Sequence, residues 1–97
     1  MLILEKDIEG YLKHRVEKDL KGRCIKLPAN LYEGIPDRMV LLPGAKIVFA
    51  ETKRPKEGRL SPMQRYWHKV LSNLGFKVYV PKTKEEVEVM LNEVHTA

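Results

Sequence analysis

A chain of 97 residues makes one domain, over 1–97, with a small hydrophobic core. Its 43% apolar content argues against disorder, no apolar run approaches the roughly 20 residues of a membrane span, and Met1-Leu2-Ile3-Leu4 is too short for a signal-peptide core. A lone cysteine, Cys24, excludes an internal disulfide and speaks against a thiolate zinc cage, while the formal charge of +5 suits a polyanionic partner and an ordinary, mildly basic protein equally well.

In chain order, Leu4, Ile8, Leu12, Val16 and Leu20 recur every four residues and predict a first helix over about 4–21, with Gly22 as its stop. A short strand over 23–27 follows, and the stretch 28–36, rich in Pro and Gly, reads as a loop. Two strand-like runs, 38–42 and 46–51, flank Pro43-Gly44-Ala45, which reads as a tight hairpin turn. Residues 53–60 form a polar, basic loop. Ser61 then caps a second helix, Pro62 suits its first position, and Gln64 completes an S-x-x-Q capping box. Trp67, Val70, Leu71 and Leu74 form the apolar stripe of this helix, and Gly75 ends it. A strand over 76–80 precedes a last helix, opened by a capping box of Thr83 and Glu86, with Val87, Met90, Leu91 and Val94 inward. The order α-β-β-β-α-β-α predicts an α/β fold whose late β-α-β unit pairs its strands in parallel through a right-handed crossover.

Chemistry concentrates on the hairpin. Asp37 opens one strand, and Glu51 and Lys53 stand at the end of its partner, so antiparallel pairing brings the two carboxylates together. Converging carboxylates repel unless a positive charge lies between them, and a hard divalent cation such as Mg²⁺ supplies one. Glu51 and Lys53 are two residues apart and point the same way in an extended chain. An ammonium there orients the attacking water and steadies charge on a phosphate, and the carbonyl of Thr52 is a further oxygen ligand. The plainer reading of acid-x-Lys on a strand is a solvated pair worth at most about 1 kcal/mol. Pro-Asp before one strand with Glu-x-Lys closing its hairpin partner is the more specific combination.

The residues that carry this set stand in a longer pattern. Gly34-Ile35-Pro36-Asp37-Arg38, Val40-Leu41-Leu42-Pro43-Gly44, Phe49-Ala50-Glu51-Thr52-Lys53-Arg54-Pro55, Leu60-Ser61-Pro62-Met63-Gln64 and Leu74-Gly75-Phe76 together resemble the virus-type replication-repair nuclease (VRR-NUC) domain of the PD-(D/E)XK superfamily. The resemblance covers nearly the whole chain and is loosest over the first helix. It implies a restriction-endonuclease-like core with a mixed central sheet flanked by helices, dependence on Mg²⁺ or Mn²⁺, and phosphodiester hydrolysis. It maps Asp37, Glu51 and Lys53 onto the metal-and-lysine core. It also implies a glutamate on the first helix and a glutamine on the helix after Lys53.

Glu5 and Glu9 are the candidates for that glutamate. Glu5 falls roughly 40° from the centre of the apolar stripe, nearer than Glu9, and is preferred as a metal ligand. The alternatives are a first-turn acid favoured by the helix dipole for Glu5 and a solvated flank for Glu9. Gln64 shares a face with Trp67 and Leu71, and the resemblance gives it an active-site role beside its capping one. The basic stretch with Arg54, Lys56 and Arg59 reads as a backbone-phosphate contact, joined by Arg38 and Arg65; elsewhere it would be a solvated loop. Loop 30–35 is either a DNA contact or a connector. Trp67 reads as core, and His14, His68 and His95 are not read as ligands, although His68 lies one turn beyond Gln64 and could face the site.

The leading expectation is an endonuclease on branched DNA. The resemblance to stand-alone phage members implies a homodimer resolving four-way junctions in the cytoplasm of the bacterial host, with the apolar N-terminus and first helix as candidate dimer surfaces. A flap or nicking nuclease is the alternative. Two other classes are a non-catalytic DNA-binding module, which does not need acids that repel phosphate, and a protein-interaction subunit.

Overall fold

The computed structural model describes residues 4–28, 30–52 and 59–96. Helix α1 (Glu5–His14) runs into a π-helical segment (Arg15–Asp19), followed by strands β1 (Arg23–Lys26), β2 (Arg38–Leu42) and β3 (Lys46–Ala50). Helix α2 (Pro62–Asn73), strand β4 (Lys77–Tyr79) and helix α3 (Lys84–Thr96) complete the order. The sheet runs β1-β2-β3-β4, antiparallel across the first three strands and parallel between β3 and β4. The expected α/β architecture with a mixed sheet is thus the observed one, and α2 is the crossover that parallel pairing demands. None of the helices among the described residues is long and apolar enough to cross a membrane.

Alternation along β2 and β3 sets the layers. Arg38, Val40 and Leu42 turn to one face with Val48 and Ala50, and on that face they meet Ile8, Leu12 and Val16 from the first helix and Val87, Leu91 and Val94 from α3. Phe49 turns to the other face and packs edge-on against Phe76, with ring centres 5.5 Å apart, beside the buried Leu71 of α2. Cys24 is a core residue whose thiol burial pushes up to about 11. Leu74, expected in the α2 stripe, is exposed because it caps the helix, and Gly75 beyond it holds φ +97°.

The π-helical segment explains the four-residue spacing of the first helix. On an α-helix four residues overshoot a full turn by about 40°. Over five successive apolar residues that drift would carry Val16 and Leu20 away from the sheet. A wider π turn advances less per residue and returns them to it, so Val16 is fully buried. Ile8, Leu12 and Val16 are therefore enclosed in the chain's own core, with Leu20 packed against it. Helix α1 is not the free apolar surface expected for a dimer.

Two polar ties hold the helices in place. Tyr11 and Arg15 of the first helical run both bond the carboxylate of Glu88 on α3, with Arg15 Nε at 2.7 Å and Nη2 at 2.8 Å. Lys46 at the start of β3 donates to the carbonyls of Val94 and His95, which neutralises the C-terminal end of α3. The chain leaves the π segment through Lys21, at φ +63°, so the left-handed stop is Lys21 and not Gly22. Gly22 is needed for a different reason: a Cβ there would sit 2.1 Å from the Leu41 carbonyl oxygen of β2.

Two glycine substitutions should move stability in opposite directions in urea unfolding. Gly22→Ala forces β1 from β2 and should cost about 2 kcal/mol or more. Gly10→Ala meets no atom within 4 Å in an exposed helix interior and should stabilise by roughly 0.5–1 kcal/mol. The hydrogen bonds from Arg15 and Tyr11 hold the Glu88 carboxyl down at about 2 from an ordinary 4.5. The unfolded chain binds that proton first on acidification. The stability Glu88 contributes should therefore be present above pH 4.5 and lost as pH falls towards 2, and a Glu88→Gln variant should converge on the wild type over that range in acid titrations followed by circular dichroism.

Candidate active site

The β2–β3 ladder ends at the Arg38–Ala50 pair, so Asp37 and Glu51 are the next residues outward on the two strands. Leu27 N–H donates to the Asp37 carbonyl at 2.8 Å, and Glu51 N–H donates to the Tyr79 carbonyl at 2.9 Å. Both acids are thereby pinned by the backbone of the flanking strands. Glu51 and Thr52 are buried, and Thr52 donates to Asp37 twice, from N–H to Oδ1 at 3.3 Å and from its hydroxyl to Oδ2 at 3.1 Å. Despite those donors, burial first, then the charges of Glu51 and Glu9, push the Asp37 carboxyl up to about 6.

The loop before Asp37 is docked on the start of α2. Gly34 has φ +87°, and a Cβ on it would lie 2.4 Å from the backbone of Met63. Tyr32 packs on Trp67 with ring centres 5.3 Å apart. This contact brings α2 over the open end of the ladder. His68 of α2 consequently faces Glu51, with Nε2 4.0 Å from Oε1. Both atoms are buried and have no hydrogen-bond partner among the described residues. Sequence placed His68 one turn beyond Gln64, where it could face the site, but did not read it as a metal ligand. The signal was its i+4 spacing from Gln64 on the sheet-facing side of the helix.

Several expected residues stand elsewhere. Arg38 is 8% exposed; its guanidinium bonds the Glu9 carboxylate and donates to the Cys24 carbonyl at 3.1 Å, so it is a core residue and not a DNA contact. The reason is the period of two in β2, which sends Arg38 inward with Val40 and Leu42. The same ion pair sets the two candidate helix acids apart. Glu5 is exposed on the first turn of α1, whereas Glu9 is held by Arg38, lies 3.6 Å from Lys26 Nζ and acts on Asp37. Gln64 Oε1 accepts from Ser61 N–H at 2.8 Å, which is the capping half of its expected role. Arg59 and Arg65 are exposed, and Arg65 donates to the Leu60 carbonyl. Lys53, Arg54 and Lys56 lie outside the described residues.

This arrangement fits a hard divalent cation. Glu51 Oε1 is a buried carboxylate oxygen without a donor among the described residues, and Asp37 beside it resists ionisation. A cation relieves both conditions, and the carboxylates with the Thr52 carbonyl are the oxygen donors such an ion takes. Among the described residues no three His, Cys, Asp or Glu side chains form a cage by themselves. That is the usual state of a Mg²⁺-type site, which keeps waters and takes substrate oxygens.

No family model matches the chain. The candidate nuclease p44 of Acyrthosiphon pisum secondary endosymbiont phage 1 is 40% identical over 79 residues, covering 81% of this chain and 83% of that protein. A solved VRR_NUC domain superposes with a TM-score of 0.81 at 31% identity, covering 92% of this chain and 94% of the other. The chain belongs to the VRR-NUC family. A solved VRR_NUC domain protein, 18% identical over 99% of this chain and 91% of its own, shares the fold at a TM-score of 0.80.

For this VRR-NUC chain the pinned acids carry a stability consequence. The folded-state value of Asp37, about 6, lies above its ordinary 3.8, so the metal-free fold loses stability from this group as pH rises through 6 and regains it towards pH 4. Metal-free Asp37→Asn should melt a few degrees above wild type at pH 7 and lose that advantage at pH 4, since about 1 kcal/mol moves the midpoint of a small domain by about 4–8 °C. Added Mn²⁺ or Mg²⁺ should raise the wild-type midpoint and leave that of Asp37→Asn nearly unmoved in differential scanning fluorimetry.

Proposed function

We propose that this chain is a divalent-metal-dependent endonuclease that hydrolyses phosphodiester bonds in branched DNA. The observation that carries the reading is the pair Asp37 and Glu51, held together at the end of the ladder although both carry negative charge and one has a buried, donor-free oxygen. A protein that only bound DNA would gain nothing from acids that repel phosphate. Kinship with a candidate phage nuclease and a VRR_NUC domain supports the same class.

In this reading Asp37, Glu51 and the Thr52 carbonyl hold Mg²⁺ or Mn²⁺, which when bound acidifies water and polarises the scissile phosphate. Lys53, two residues beyond Glu51, orients the attacking water and steadies charge on the phosphate. Glu9 is the helix acid in place of Glu5. Its charge is balanced by Arg38 and Lys26, which leaves Asp37 and Glu51 to the cation. Gln64 holds the start of α2 through its cap and so keeps the helix over the site. Arg54, Lys56, Arg59 and Arg65 contact backbone phosphates and position the substrate without reading sequence.

Action on four-way junctions by a homodimer is the finer form of the proposal. With α1 enclosed, the surface that favours a second copy is the β4 edge of the sheet, where Leu74, Phe76 and Val89 are exposed. Sedimentation at micromolar concentration separates this form from a monomeric flap or nicking enzyme. With Mn²⁺, wild type should cut a four-way junction in preference to linear duplex. Lys53→Ala should lose roughly 10²–10³-fold in rate while still binding. Binding through about five phosphates should show a log–log salt slope near −4.5. Binding without cutting in any divalent metal would leave a DNA-binding module, and the absence of salt-sensitive affinity would leave a protein-interaction subunit.

A further inference from the structure

Two carboxylates and a cation leave one contact unexplained. Oε1 of Glu51 and Nε2 of His68 face each other at 4.0 Å with side chains 6% and 14% exposed, and neither atom has a hydrogen-bond partner among the described residues. A buried polar atom without a partner is costly, and native folds keep few of them. Two such atoms aimed at one another, on elements clamped by the Gly34–Met63 and Tyr32–Trp67 contacts, mark a position built for a third group.

The spacing suits a metal ion. A direct N–H···O bond spans about 2.7–3.2 Å, shorter than the observed gap. Two bonds from a cation, each of about 2.1 Å to nitrogen or oxygen, reach across it with the ion a little off the line between the two atoms. A neutral imidazole offers a lone pair at Nε2 when its proton resides on Nδ1. Imidazole is a good ligand for first-row transition ions and a poor one for Mg²⁺, which prefers an all-oxygen shell.

We propose that His68 Nε2 is a ligand of the divalent cation together with Glu51, so that the site is a mixed nitrogen–oxygen one that holds Mn²⁺ in preference to Mg²⁺. This deepens the metal-dependent nuclease reading and rests on it. His68 adds a ligand from the α2 side to the oxygens of Asp37 and Glu51. The ion then ties α2 to the β3 end of the sheet.

Pulsed electron paramagnetic resonance on Mn²⁺-loaded protein tests this without any turnover, with Mn²⁺ and Mg²⁺ affinities measured by calorimetry on the same samples. Wild type should show nitrogen coupling of a bound imidazole, which shifts on ¹⁵N-histidine labelling and disappears in His68→Gln. His68→Gln should bind Mn²⁺ roughly tenfold or more weakly, and Mg²⁺ nearly as before. Mn²⁺ bound at Glu51 with no nitrogen coupling in wild type overturns the proposal and leaves the nuclease reading standing. Equal losses for both ions in His68→Gln overturn it as well, since His68 then only orients Glu51. Failure of wild type to bind Mn²⁺, or unchanged binding by Glu51→Gln, removes the metal site and the nuclease reading with it.

Discussion

The β2–β3 ladder ends in an acid on each strand, and the apolar pairs behind them keep the two from separating. Val40 stands opposite Val48 and Met39 opposite Phe49, and both strands are tied on their outer sides by β1 and β4. Slipping the register by one residue would turn Val40 and Leu42 out of the core, so the sheet cannot relieve the repulsion between Asp37 and Glu51 by moving. Thr52 offers two donors to Asp37 and still leaves its carboxyl raised. The remaining imbalance is local, buried and fixed by packing. That is how a small core can hold two acids side by side.

Positive charge is close at hand, yet it is committed elsewhere. Arg38 lies next to Asp37 in sequence, but alternation sends its guanidinium to the opposite face of the sheet, where it meets Glu9 and the Cys24 carbonyl. A buried guanidinium needs such a set of acceptors, because an unpaired one would be strongly destabilising. The pair locks the rotation of α1 about its own axis, as Tyr11 and Arg15 lock its tilt against α3 through Glu88. Glu9 therefore reaches Asp37 as a charge without competing for the donors of Thr52.

The other wall of the site depends on α2 and the loop that rests on it. Gly34 can approach the Met63 backbone only because it lacks a Cβ, and Tyr32 closes the gap against Trp67. The result sets His68 over Glu51. On this side of the sheet the apolar packing is thin, with Phe49, Phe76 and Leu71 in place of the fuller core opposite. A bond through a shared ion between α2 and β3 would supplement that packing.

Sequence by itself determined the elements and the central pair. Apolar spacing marked the helices, Ser61 with Gln64 and Thr83 with Glu86 marked their starts, and a hairpin around Pro43-Gly44-Ala45 sufficed to bring Asp37 and Glu51 together, because each of these rests on neighbours along the chain or across one turn. Tertiary structure decided the rest. Glu9 turned inward to Arg38 and Glu5 outward to solvent because a π-helical segment and the Arg38 contact set the rotation of the first helix, which an ideal helical wheel does not contain. Arg38 turned inward because the face of β2 that becomes core is chosen by what packs on it. Gly22 was required by a strand distant in sequence, and His68 met Glu51 only through the docking of α2. Local periodicity reports which residues share a face, whereas the partner of that face is set by packing among elements far apart in the chain.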